Sequence, residues 1–199
     1  GAIRVPLEVT EGYTSDALAR NNARVRELTR SMKTSPELFW VMTGLATYSA
    51  LRLSLGEARE LGDELLQLAE RLGDAQFMLA ACQLRSIVAL YEGQLADYFR
   101  LRQKAHDLYN PEQHTNLAYQ FDADVEAAGL AHESWAAWIQ GCPDRARQLG
   151  DAAVSWAAAL EHPFSQAFTL SFAAQTYAWC GDTRKTSEYA NRGIALSEK

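Results

Sequence analysis

From Ser54 to Arg71 the apolar residues Leu55, Ala58, Leu61, Leu65, Leu68 and Ala69 recur at steps of three and four, while Glu57, Arg59, Glu60, Glu64 and Glu70 fill much of the remaining circumference. This spacing puts one apolar stripe on a helix and turns the rest to water. Gly73 then supplies a stop, and Asp74 an N-cap for a helix running to about Glu92. The same punctuation returns at Glu161, His162 and Pro163, ahead of a helix ending near Cys180 and Gly181. Extended along the chain, the pattern predicts helix pairs over 37–52 with 54–71, 75–92 with 94–109, 124–140 with 143–160, and 163–180 with 182–197. A partial first repeat occupies 1–32: Pro6 interrupts residues 2–11, and Ser15 or Asp16 begins a helix to about Met32. Gly and Pro fall at helix ends and the intervals are rich in Ala and Leu, so nothing predicts a strand core.

The helix pairs register on Gly12, Leu53, Gly93, Gly141 and Gly181, at intervals of 41, 40, 48 and 40 residues. A self-similar period of that size predicts an all-α, right-handed α-solenoid of about ten helices, whose units bury their cores by stacking on neighbours. Seven residues before the last four markers stand Ala46, Ser86, Ser134 and Ala174, all small; five residues after the five markers stand Ala17, Ala58, Tyr98, Ala146 and Thr186. This resembles the tetratricopeptide-repeat pattern, in which small residues let the two helices of a unit approach closely, although the period here exceeds its usual length.

A narrower resemblance follows from the segments PELFWVMTGLATYSALRLSLGEARELGDELLQLAERLGD, YEGQLADYFRLRQKAHDLYNPEQH and WIQGCPDRARQLGDAAVSWAAALEHPFSQAFTLSFAAQTYAWCGD. They resemble the tetratricopeptide-like C-terminal region of large bacterial signalling proteins, most specifically in LYNPEQH, GCPDRA and LEHPFSQA. Relatives of that kind join the region to an AAA-type ATPase module, often with a class III adenylate or guanylate cyclase domain upstream. The resemblance implies a regulatory or assembly role. It transfers no catalytic residue, because catalysis there belongs to other domains.

Composition fits a single helical domain able to bury a sizeable core: 199 residues, 48% hydrophobic. Net charge is -6, which disfavours nucleic acid and anionic membrane surfaces as partners. Cys82, Cys142 and Cys180 are too few and too scattered for a disulfide framework or a Cys-rich zinc site, and predict reduced thiols in a cytoplasm. No apolar run approaches the roughly 20 residues needed to span a bilayer. The start, GAIRVPLEVT, lacks the pattern of a secretory signal. The chain opens on Gly rather than Met and closes at Ser197, Glu198 and Lys199 just after a helix-like segment, which reads as a fragment of a longer protein.

Candidate chemistry changes this picture little. There is neither a Gly-Lys-Ser/Thr phosphate loop nor a Gly-x-Ser-x-Gly elbow, and the His132–Glu133 step has Ala136 where a zinc-protease helix needs its second His. No enzyme, cofactor or metal is expected. A surface formed by the first helices of the pairs would carry Trp40, Thr43, Thr47, Gln83, Ile87, Glu126, Trp135, Ser171 and Gln175, a polar and aromatic set suited to a peptide or another protein segment. Trp135, Trp138, Trp156 and Trp179 are expected in the core, where their area does most for packing.

The 48-residue interval holds eight extra residues, predicting an irregular connector over 109–124. Its edge would offer Tyr109, His114, Tyr119 and Asp122 to a partner; equally, Asn110 and Pro111 can start a short helix and Asp122 or Asp124 can cap the next. The expected function is a noncatalytic protein-interaction or regulatory scaffold of a cytoplasmic signalling protein, whose partner is a protein or peptide segment, including another domain of the same chain. The alternative is a small-molecule sensor using the aromatic space around Trp135 and Trp138, with the connector as lid. Residues 182–197 alternate Tyr189, Ala190, Ile194 and Leu196 with polar groups, predicting an apolar strip and a homodimer through one terminal face.

Overall fold

The computed structural model describes residues 24–29, 33–114, 123–160 and 162–197. After a helical stretch at 24–29, four antiparallel pairs follow: α1 Pro36–Leu51 with α2 Leu55–Leu72, α3 Ala75–Tyr91 with α4 Leu95–Leu108, α6 Val125–Ile139 with α7 Pro143–Ala158, and α8 Pro163–Trp179 with α9 Thr183–Ser197. The short α5, Pro111–His114, precedes the third pair. The predicted boundaries of the four pairs hold to within two residues. Much of the partial first repeat, including Gly12 and Ala17, and the connector residues Tyr119 and Asp122 lie outside the described residues. The helices gather into two compact units, α1–α4 and α5–α9, divided between Leu108 and Tyr109.

Each long pair turns through one repeated device. Leu53, Gly93, Gly141 and Gly181 all adopt the left-handed conformation, with φ of 58, 74, 79 and 76°. The next residue's N–H reaches back to the last helical turn: Ser54 to Ser49 O at 2.9 Å, Gln94 to Ala89 O at 2.8 Å, Cys142 to Ala137 O at 2.9 Å, and Asp182 to Tyr177 O at 3.0 Å. These six-to-one bonds satisfy carbonyls that a helix end leaves open. Leu53 does the same work as the glycines although its Cβ crowds the left-handed backbone, at a cost of about 1–2 kcal/mol.

The first and second helices of a pair have different environments. In α3, twelve of seventeen residues are buried; in α2, six of eighteen. The reason is stacking: α3 packs on both α1 and α2, and α8 on both α6 and α7, so first helices are enclosed on several sides. The small column before the turns lies inside, with Ala46, Ser86 and Ser134 at 1% exposure or less and Ala174 at 9%. Ala58, Ala146 and, despite its size, Tyr98 are fully buried in the second column, whereas Thr186 is half-buried.

The tryptophans require a correction. Trp138 and Trp179 are exposed at 37% and 38%, and Trp135 and Trp156 are half-buried. Helical spacing puts Trp135, Trp138 and Trp179 on one surface, where they pack against one another and against Phe172 instead of filling the centre, while Trp156 packs on Tyr109 and donates to Asp124.

Candidate functional site

Rings of α6 and α8 form a continuous ladder. Phe164 stacks on Phe168 at 6.4 Å between centroids, and Phe168 on Phe172 at 4.4 Å. Phe172 stacks on Trp135 at 4.1 Å and 16°, Trp135 meets Trp179 at 5.1 Å, and Trp179 meets Trp138 at 5.0 Å. The spacing Phe164, Phe168, Phe172 is one helical turn per step, which keeps all three on one face of α8. His132 lies beneath the ladder, 3% exposed, with its Nδ1 2.8 Å from Ala128 O and its ring 4.7 Å from Phe172. Burial among rings and a backbone carbonyl gives His132 a packing role. The ladder is open at its ends, where Phe164, Trp138 and Trp179 reach water.

Beside it, between α8 and α9, an open cleft of about 460 Å³ is lined by Ser171, Gln175 and Ala178 on one wall and Tyr189, Ala190 and Ile194 on the other. The structure thus brings Ser171 and Gln175 together and leaves them exposed. The other proposed groove residues differ. Thr43 is buried, its hydroxyl donating to Phe39 O at 2.9 Å. Gln83 is 4% exposed, with neither amide atom hydrogen-bonded, and Glu126 is 5% exposed. Trp40 is half-buried against Phe39 and Phe77, and Thr47, Ile87 and Trp135 are half-buried as well. Thr43 and Gln83 stand ten residues before their turn markers, as Ser171 does, yet only Ser171 is open.

The described part of the connector is packed. His114 is buried, its Nδ1 accepting from Asn110 N–H at 3.0 Å. Tyr109, half-buried, donates to Asp124 Oδ2 at 2.7 Å. Asp124, fully buried, also caps α6 by accepting from Ala127 N–H at 2.9 Å and takes a bond from Trp156 Nε1 at 3.1 Å. Burial, then the bond to Asp124, pushes the Tyr109 phenol well above its ordinary range.

Asp124, Ser165 and His162 invite comparison with a nucleophile triad. Asp124 N–H donates to Ser165 Oγ at 2.8 Å, and Ser165 Oγ lies 2.8 Å from His162 Nδ1. The Asp124 carboxylate, however, is engaged by Ala127, Trp156 and Tyr109, and Ser165 is fully buried. A triad needs its acid on the imidazole and its hydroxyl open to substrate. This arrangement instead locks the starts of α6 and α8 to α7. Its long-range partners were invisible in sequence; only the cap was legible.

A second carboxylate ties α7 to α8 and α9. Asp151, half-buried, accepts from Tyr177 OH at 2.9 Å and from Tyr189 OH at 2.5 Å. Burial and these bonds push Tyr177 up to about 12 and Tyr189 higher. Lys185 Nζ and the Arg192 guanidinium sit 4.9 and 5.4 Å from the Tyr189 ring centroid. Among the described residues no cluster of His, Cys, Asp and Glu could hold a metal ion, and no described helix is long and apolar enough to cross a membrane.

Among solved structures, the chain is similar to a protein of Podosopora anserina described as a kinesin light chain with nearly identical TPR-like repeats. Identity is 13%, the match covers 98% of this chain and 92% of that one, and the TM-score is 0.60. A single-substitution variant of the same protein matches at 13% identity and TM-score 0.62, over 98% and 91% of the two chains. No family model and no curated protein matches the sequence. At this identity the likeness concerns the fold. The chain is an all-α solenoid of TPR-like repeats.

Proposed function

We propose that the chain is a noncatalytic protein-interaction module whose first helices offer an aromatic surface to a segment of another protein. The carrying observation is the open ladder: Phe164, Trp138 and Trp179 remain exposed although all are large and apolar. Single exposed apolar residues are ordinary on a folded protein, but a contiguous strip of rings favours a contact surface, and Trp supplies much of the energy at such surfaces. Peptide display against the 199-residue chain, with Trp138→Ala/Trp179→Ala as counter-screen, tests it. Selected peptides should bind the double variant at least about tenfold more weakly, while its circular dichroism at the assay temperature keeps the helical spectrum of the parent. Peptides that bind both equally, or no selection at all, would overturn this reading.

The proposal extends to context. The 199 residues act as one domain of a longer, cytoplasmic bacterial signalling protein whose ATPase or cyclase modules lie elsewhere in the polypeptide. A full open reading frame without those motifs would remove that part. The small-molecule reading has less support, because Phe172 and Trp179 already pack on Trp135. A ligand-dependent thermal shift lost in Trp135→Ala would restore it.

A further inference from the structure

Ser35, Asp74 and Asp124 cap α1, α3 and α6 by accepting a backbone N–H on a side-chain oxygen. At the start of α8 the same position is held by His162, whose Nδ1 accepts from Ser165 N–H at 3.2 Å. The ring is half-buried and Ser165 is fully buried. Among these four acceptors the imidazole is the one whose kind gains a charge between about pH 5 and 8.

The direction of each bond around Ser165 is fixed. A backbone N–H can only donate, so Asp124 N–H donates to Ser165 Oγ at 2.8 Å and Ser165 N–H donates to His162 Nδ1. With Nδ1 an acceptor, the 2.8 Å contact between Ser165 Oγ and Nδ1 is completed by the hydroxyl hydrogen. In this arrangement His162 is neutral, with its proton on Nε2. A proton on Nδ1 would leave both Ser165 N–H and the Ser165 hydroxyl hydrogen without their acceptor, inside the protein, and would set a cation at a helix N-terminus.

The charged and titratable side chains around the cap come from the start of α6, Asp124 and Glu126, and from the connector, Tyr109 and His114. His132 lies further along, against Phe168 and Phe172. Residues 152–160 at the end of α7 carry no charge, nor does any residue of α8, and Glu161 adjoins His162 in the sequence. The Asp124 carboxylate attracts an imidazolium, but its oxygens already accept from Ala127 N–H, Trp156 Nε1 and Tyr109 OH. It therefore offers no replacement partner to the freed Ser165 donors.

The geometry points to a pH-operated latch: neutral His162 caps α8 and ties it through Ser165 to the start of α6, whereas protonated His162 releases the first turn of α8. Phe164, the open end of the aromatic ladder, lies in that turn. The released state takes a proton at Nδ1 that the capped state excludes, so the latch is closed on the alkaline side and opens as pH falls. Its effect on a partner rests on the interaction-surface reading; the latch itself does not.

NMR of the full chain reads the latch without any ligand. At about pH 8 the ring nitrogens of His162 should report the Nε2–H tautomer. From about pH 8 to 5.5 the Ser165 amide should lose about fivefold in hydrogen-exchange protection relative to His162→Asn, whose side-chain oxygen caps without titrating. His162→Ala should match the acid form at both pH values. Peptides selected on the ladder should bind the parent more weakly in acid, by up to the same factor, and His162→Asn equally at both.

A proton on Nδ1 at the alkaline end, or protection that acid leaves unchanged, would overturn the inference. So would an equal acid loss in the parent and His162→Asn, which would assign the effect to other groups such as Glu126. Peptide binding indifferent to pH while the Ser165 amide opens would overturn the reach of the latch to the ladder. Failure of the display selection bears on the aromatic surface instead, since the tautomer and exchange readouts need no peptide.

Discussion

Asp124 in the second unit and Gln83 in the first are polar side chains that folding has removed from water, at 0% and 4% exposure. Their surroundings are opposite. Asp124 uses both carboxylate oxygens, toward Ala127 N–H, Trp156 Nε1 and Tyr109 OH, whereas neither amide atom of Gln83 is hydrogen-bonded. A buried polar group that is fully matched fixes geometry, because any displacement breaks several bonds at once; an unmatched one retains the cost of leaving water. Burial alone therefore says little about what a polar residue contributes. The partners decide its sign.

The largest expected effect breaks the matched side. Asp124→Ala removes the α6 cap and leaves the Trp156 and Tyr109 donors without their acceptor, a loss of about 3 kcal/mol. Urea unfolding followed by tryptophan fluorescence reads it well, since Trp135, Trp138, Trp156 and Trp179 all lie in the second unit. Asp124→Asn keeps an oxygen for the cap and should cost about half as much. If the two variants were equally stable, the cap would not be part of the lock.

On the unmatched side the sign reverses. Gln83→Met keeps length and shape while deleting both unpartnered atoms, and should stabilise the first unit by about 1 kcal/mol. Amide hydrogen exchange in α3 measures it locally. A destabilised variant would mean that the Gln83 amide is matched in solution, and the contrast with Asp124 would collapse.

These two residues also show what was legible in the sequence. Helix ends were, because caps and left-handed turns are local: Asp74 caps α3 by accepting from Gln76 N–H at 3.0 Å, and Asp124 does so three residues on. Even Leu53, in a slot otherwise held by Gly, turned out left-handed, since the surrounding helix pair and the bond from Ser54 N–H demand it. What escaped was set by packing between helices. Trp156 lies 32 residues from Asp124, and Tyr189 lies 38 from Asp151; no local pattern announces such pairs. The aromatic ladder escaped for the same reason: helical spacing puts rings on one face without saying whether that face is covered. Gln83 and Ser171 occupy equivalent positions, and only the tertiary structure separates the buried one from the one lining a cleft.

The smallest expected effect places Asp151 between the two extremes, as a half-buried carboxylate with two matched partners. Its tyrosines sharpen the comparison through pH. Tyr177 is pushed up to about 12 and Tyr189 higher, by burial first and by the bond to Asp151 second, while a tyrosine in the unfolded chain ionises near 10. Above pH about 10 the unfolded state therefore releases protons that the folded state retains, so this contribution is intact below that pH and is lost as pH rises toward the folded values. Thermal melts across the alkaline range should fall more steeply for the parent than for Tyr177→Phe/Tyr189→Phe, although the variant starts lower at neutral pH for want of the two hydroxyl bonds. Parallel curves would show that Asp151 and its tyrosines are already open to solvent, and the intermediate position assigned to this carboxylate would have to be given up.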